Sequence, residues 1–336
     1  MAGQVARFAV GAGLVVAGMV ALGAQQGMRP HMPLPDEAGP WDSDVLVYKI
    51  TPEGRPDLMA TFERSGVSTL TRLQSRRLMV AHQYFPEDPG RFDKVAVRFS
   101  DDDGQTWSTP RVITLSGLPD GMRSPFDPTL VTLPDGRVRM YFTSVGVVSP
   151  GAEAPGLRVP QPSVPAIYSA ISTNALDFTV EPGRRFGIDG RPVIDSAVVL
   201  HRGIFHLYSP DNGAMPAAAP GVPPNIGDRA PDGVGYHATS TDGLTFTRVD
   251  DVRVDGRRRW LGNAYSDGTS ITFLGTGQGV WLGTSSDGAR WRLDRTVTVM
   301  GADPAGVPTP DGGWVMTVTG PPRPGTASAK ARGRGR

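Results

Sequence analysis

Short runs of β-branched and aromatic residues, each ending in Ser and followed by an Asp/Gly turn and then a ring, recur along the chain. The first is Val95-Ala96-Val97-Arg98-Phe99-Ser100, with Asp102, Gly104, Thr106 and Trp107 behind it. Further copies run to Ser172 with Asn174 and Phe178, to Ser240 with Asp242, Gly243, Thr245 and Phe246, and to Ser285 with Asp287, Gly288 and Trp291. Such a run predicts a strand closed by a hairpin, because the Asp or Asn side chain can accept backbone N–H bonds of its own turn and Gly takes the positive φ. A second phrase precedes each copy. Asp127-Pro128-Thr129-Leu130-Val131-Thr132-Leu133 leads through Asp135-Gly136 into Arg137-Val138-Arg139-Met140-Tyr141-Phe142, which predicts two strands joined by a tight turn. Related phrases start at Asp195, Asp267 and Asp303, while the first unit carries Val67 at that position.

Counting these phrases predicts an all-β chain of five four-stranded units, near residues 66–113, 125–182, 192–252, 264–299 and 301–319. The last unit supplies only two clear strands. The segment 44–50, Asp-Val-Leu-Val-Tyr-Lys-Ile, is expected to complete it, closing a β-propeller and removing the open sheet edge. A single propeller domain then spans 44–319.

The copy Ser100-Asp101-Asp102-Asp103-Gly104-Gln105-Thr106-Trp107 resembles the Asp-box (BNR repeat) of sialidase-like propellers at every defining position. That resemblance implies a structural turn, so the acidic cluster Asp101, Asp102 and Asp103 is expected to shape a hairpin and not to hold a metal. The arrangement of the whole repeat is similar to the arabinanase-type five-bladed glycosidases, which implies catalytic carboxylates on the innermost strands at one mouth of the axis. The chain departs from the sialidase pattern at Ser65-Gly66-Val67-Ser68, where an Arg-Ile-Pro type motif would stand.

In a four-stranded antiparallel blade the start of strand one and the link between strands two and three share one end of the axis. The repeated Asp residues therefore predict a mouth lined by Asp127, Asp195, Asp267 and Asp303, beside the long Pro- and Gly-rich links 144–165 and 209–234. These four, with Glu153 on the first of the links, are the candidate catalytic residues. Hydrolysis of a glycosidic bond needs one protonated and one ionised carboxyl group, and crowded carboxylates can divide a proton in that way. The competing expectation for each Asp is a bond to neighbouring loop N–H groups.

Arg123 and Arg191 each lie four residues before a mouth Asp. They could grip the carboxylate of a sialic or uronic acid, or pair locally. His82, Tyr84 and Tyr265 complete the candidate substrate-binding set, with His206, Tyr208, His237 and Trp260 as further platform rings. Two functions stay open. One is an extracytoplasmic sialidase- or glycosidase-like hydrolase; the other is a non-catalytic propeller that binds carbohydrate or protein.

Composition narrows the partners. With 34 basic and 33 acidic side chains and a net charge of +1, nothing favours nucleic acid. The absence of Cys removes disulfides, thiolate sites and a lipid-modified cysteine. The five histidines show no metal spacing, and no phosphate-binding or dinucleotide fingerprint is set between a strand and a helix, so neither metal nor cofactor is expected. Residues 1–24 read as a secretory signal, which predicts a secreted or periplasmic protein, with an uncleaved anchor as the only membrane contact. Residues 25–43 read as a linker and 320–336 as a disordered basic tail, and a monomer is expected.

Overall fold

The computed structural model describes residues 39–146, 164–213 and 233–324. Within them the chain folds into five antiparallel sheets arranged as the blades of a propeller. From the axis outward, blade one consists of Ser65–Arg72, Leu78–Tyr84, Lys94–Ser100 and Arg111–Val112. Blade two consists of Phe126–Thr132, Val138–Ser144, Ala166–Ser172 and Asp177–Phe186, with Thr114–Ser116 added in parallel on the outside. Blade three is Ala197–His201, Ile204–Pro210 and Val234–Ser240, edged by Thr247–Arg248 and Val252–Arg253. Blade four is Arg259–Ser266, Ile271–Gly277, Gly279–Ser285 and Arg292–Val297.

Blade five joins distant parts of the chain. Ala302–Pro308 and Trp314–Thr319 are followed outward by Val45–Ile50 and Pro56–Phe62. Val45 lies opposite Thr319 and Ile50 opposite Trp314, so the N-terminal strand fills the place expected for it. Its outer neighbour Pro56–Phe62, which belongs to none of the repeated phrases, supplies the fourth strand. The inner strand Ala302–Pro308 packs against those of both blade four and blade one, so the units close into a ring.

Both faces of a middle strand are covered by neighbouring blades, which is why these strands read as apolar runs and not as an alternation. Leu78, Met79, Val80 and Ala81 are all fully buried. Met79 and Phe99 of blade one pack with Leu130, Met140 and Phe142 of blade two. Between blades three and four, Trp260, Phe273 and Trp281 pack with Tyr208.

The Ser-x-Asp turns close as their chemistry predicts. Ser100 Oγ donates to Asp102 Oδ1 (2.8 Å), the Thr106 N–H donates to the same carboxyl oxygen (2.9 Å), and Trp107 Nε1 donates to the Gly104 carbonyl (3.0 Å). Asp101 pairs with Arg77 and Asp103 with Arg72, both from the neighbouring hairpin between the first two strands, while Asp102 closes its own turn. Ser240–Asp242 and Ser285–Asp287 repeat the arrangement, and Asn174 takes the same role beside Ser172.

Two expectations change. Blade four begins at Arg259 and not near 264, so Ile271–Gly277 is its second strand. A bulge between Arg259 and Gly262, with Gly262 at φ +151, interrupts the apolar pattern and hid this strand. The described ends are also tied down where a linker and a loose tail were expected. The Arg323 N–H donates to the Asp42 carbonyl (2.7 Å), and its guanidinium reaches Asp44 Oδ1 (2.9 Å) and the carbonyls of Trp41 and Ser43. The segments 1–38 and 325–336, including the expected signal or anchor, lie outside the described residues.

Candidate active site

Each inner strand can be placed on the others through the ladder. Arg72, Thr132, Leu200, Ser266 and Pro308 occupy one equivalent position, because each faces the second-strand residue that opposes Ser100, Ser172, Ser240, Ser285 or Ile50. Five residues upstream stand Val67, Asp127, Asp195, Leu261 and Asp303. All five line one narrow cavity on the axis. The propeller thus gathers three carboxyl groups from blades two, three and five, with two apolar side chains completing the ring.

The backbone aims these groups. Val67, Asp127, Asp195 and Asp303 have φ of 47, 47, 55 and 50°, and in blades one, two and five they sit in a bulge of the inner strand. A β-branched residue is the least suited to that conformation. Since Val67 adopts it too, the fold imposes the bend, and aspartate is not required to make it. The side chains do not stabilise the loops either. Among the described residues no backbone N–H donates to the three carboxyls; Asp303 Oδ2 accepts from the Thr319 hydroxyl (3.1 Å), and Asp127 and Asp195 are hydrogen-bonded to each other.

Burial dominates the electrostatics. Asp303 is pushed up to about 7, first by loss of water and then by repulsion from Asp195, against the pull of Thr319 and Arg259. Asp127 is raised by burial and by Asp303, while the nearby Thr143 hydroxyl and the Arg123 charge act against the rise. Asp195 lies well above the ordinary carboxylate range through burial and the neighbouring Asp127, whose hydrogen bond raises it further. A hydrogen bond between two carboxyls requires one proton, which Asp127 and Asp195 hold as a pair. The cavity has room for little more than one water, about 20 Å³. Each of the three residues nevertheless keeps some accessible surface, so a larger ligand would lie across the mouth.

The other candidates are placed elsewhere. Asp267 sits in the turn after the inner strand of blade four, at the opposite end of the axis, where its Oδ1 accepts the N–H groups of Thr269 and Ser270 (2.7 Å each). Those bonds hold its carboxyl below its ordinary range. Tyr265 lines a separate cavity of about 390 Å³ at that same end, together with Arg72 and Gln74. His82 is fully buried within blade one, its Nδ1 3.1 Å from the Gln83 carbonyl, and burial pushes it down to about 4. Tyr84 lies beside it, with the Arg91 guanidinium over its ring. His206, Tyr208, His237 and Trp260 form a stack buried between blades three and four and present no face to the mouth. Glu153 lies outside the described residues.

The two arginines pair with aspartates other than those they precede. Arg123 pairs with Asp93 (2.9 Å) and covers the Phe126 ring, and Arg191 holds both oxygens of Asp211 (2.8 Å each) and the Tyr236 hydroxyl (2.9 Å). The cation that sequence reasoning misses is Arg259. It stands at the start of the inner strand of blade four, and its charge acts on both Asp195 and Asp303. Its Nη2 donates to Asn212 Oδ1 (2.9 Å). The only sequence signal would have been the correct start of that strand.

No protein-family model matches the chain, and no curated protein matches it by sequence. Among solved structures it is similar to a family 117 glycoside hydrolase of Zobellia galactanivorans, at 13% identity over 87% of this chain and 93% of that one, with a TM-score of 0.46. A GH32 β-fructofuranosidase of Bombyx mori gives 11% identity over 90% and 65% of the two chains, with a TM-score of 0.48. An α-L-arabinofuranosidase of Lactobacillus brevis gives 12% over 76% and 82%, with a TM-score of 0.45. These are likenesses of fold, and the proteins concerned are glycosidases.

Proposed function

We propose that the chain is an extracytoplasmic glycosidase-like propeller that binds a carbohydrate across the mouth of its axis and hydrolyses a glycosidic bond with the carboxyl groups gathered there. The observation that carries this reading is the convergence of Asp127, Asp195 and Asp303 in one cavity, with no backbone N–H among the described residues as partner. The carboxyl groups of glycosidases stand about 5 to 9.5 Å apart. Two carboxyls that share a hydrogen bond are closer than that, so Asp127 and Asp195 act as one proton-holding unit. In this reading the Asp127–Asp195 pair supplies the proton to the leaving oxygen, and Asp303 is the carboxylate that must ionise. The single-water cavity beneath them fits a role in activating water. An acidic sugar loses its main support, since Arg123 and Arg191 are each committed to an aspartate.

The rival is a non-catalytic carbohydrate- or protein-binding propeller. Val67 and Leu261, apolar at two of the five equivalent positions, favour it. A panel of neutral and acidic aryl glycosides, tested on the wild type and on Asp127→Asn, Asp195→Asn and Asp303→Asn, separates the two. The hydrolase reading expects turnover by the wild type and a loss of at least about 100-fold in each folded variant. Equal inertness of all four proteins overturns it.

A further inference from the structure

The axial cavity at the end away from the mouth has no part in the proposed hydrolysis. Its volume of about 390 Å³ falls within the range of small-molecule sites, about 300 to 1,000 Å³, and four of the five blades line it. Two residues on from Val67, Asp127 and Leu261, the inner strands carry Thr69, Thr129 and Asn263, all buried. Asn263 Nδ2 donates to Thr69 Oγ1 (2.6 Å), and Thr129 Oγ1 donates to Asn263 Oδ1 (3.1 Å). A hydrogen-bonded bar from three blades therefore lies across the axis between the carboxyl cavity and the larger one. Whatever fills the larger cavity enters from the far end.

The lining specifies a class of ligand. Leu130, Val131, Val198, Leu200 and Ala264 supply apolar wall. The charges around it are spent. Arg72 Nη1 donates to Asp103 Oδ1 (2.7 Å) and to the Arg76 carbonyl (3.0 Å), its Nη2 donates to the Pro308 carbonyl (3.3 Å), and Asp267 caps its own turn. What remains is mainly acceptor capacity. Thr132 gives its one hydroxyl proton to the Arg72 carbonyl (3.1 Å), so in the contact between Thr71 and Thr132 (3.2 Å) Thr71 is the donor and its own oxygen is left to accept. Gln74 Nε2 donates to the carbonyls of Leu133 and Pro134, which leaves its Oε1 to accept as well. The Tyr265 ring is held edge-on by Trp314, and its hydroxyl has no hydrogen-bond partner among the described residues. We infer that this cavity is a second ligand site, for a small neutral molecule that carries several hydroxyl donors and one apolar face, the character of a single neutral sugar ring. An anion would find no uncancelled cation there, and a cation no free carboxylate. The inference stands apart from hydrolysis at the mouth, because the bar separates the two cavities.

The test is a binding titration of the full chain by saturation-transfer NMR. The probes are D-glucose, D-galactose, D-mannose, L-arabinose and D-fructose, with D-glucuronate as the charged control. At least one neutral sugar is expected to bind, and glucuronate is not. Tyr265→Phe, which removes one hydrogen-bonding group, should weaken that sugar about 2- to 10-fold, and Ala264→Leu, which adds bulk to the lining, should abolish its binding. Asp127→Asn and Asp303→Asn, on the other side of the bar, should leave its Kd unchanged. The inference is overturned if none of the five sugars binds, if glucuronate binds as tightly, if only the mouth variants weaken binding, or if folded Tyr265→Phe and Ala264→Leu both keep the wild-type Kd. Should Ala264→Leu fail to fold, Tyr265→Phe decides alone. Because no turnover is involved, a protein inert on every glycoside can still bind at the far end, and an active one can fail to.

Discussion

Replacing Asp303 with Asn should make the protein more stable at alkaline pH. The carboxyl is raised from 3.8 to about 7 in the folded state. A raised acid favours the folded state least when it must be ionised. The penalty is nearly absent below the unfolded value, grows as pH rises through the window between the two values, and levels off above the folded one. Each tenfold change in proton affinity is worth about 1.4 kcal/mol, so the penalty is about 0.5 kcal/mol at pH 4 and about 4 kcal/mol at pH 8. Asparagine carries no charge, and its side-chain oxygen can still accept the Thr319 hydroxyl bond. Urea unfolding of wild type and Asp303→Asn at several pH values reads the effect, to which the relief of repulsion on Asp127 adds in the same direction. The two proteins should be nearly equal near pH 4, and the variant should gain stability steadily up to pH 8. Equal stabilities at pH 8, or a gap that does not widen with pH, would refute the claim that this carboxyl is held near neutrality by burial.

Two more outcomes follow from the packing. His206 Nδ1 lies 3.0 Å from His237 Nε2, and burial lowers both rings to about 4, so their contribution is complete above their unfolded value of 6.5 and is lost as pH falls towards 4. His237→Gln should therefore reduce the acid-side slope of unfolding free energy by about one proton. Gly288 has φ +76, and an added Cβ would strike the His206 ring across the blade three–blade four interface. Gly288→Ala should lose more than about 2 kcal/mol in the same unfolding assay.

The legible parts of this fold were those in which chemistry repeats. A Ser-x-Asp turn works only with a side chain that accepts N–H groups two to four residues on, so Asp102, Asp242 and Asp287 announce the third strand of their blades. Asp127, Asp195 and Asp303 were legible because three inner strands keep the same residue at the same bend. Asp267 misled for the same reason, since an Asp in front of an apolar run marks a turn as readily as a mouth. The true strand, Arg259–Ser266, is broken by Gly262 and Asn263, and Asn263 is polar because it lies on the channel axis, bonded to Thr69 and Thr129. The pairing of Arg123 and Arg191 was invisible in one dimension, because their partners Asp93 and Asp211 lie 30 and 20 residues away.

The mixed parentage of the fifth blade bears on how the chain is made. The hairpin of Val45–Ile50 and Pro56–Phe62 leaves the ribosome well ahead of the strand that covers its inner edge, Trp314–Thr319, which comes more than two hundred residues later. Until then Val45–Ile50 offers bare peptide groups to any passing strand, its own kind included. The nascent ring therefore cannot lock until Trp314–Thr319 has been made, and a cut or stall ahead of Trp314 leaves a template for aggregation in place of a shorter propeller.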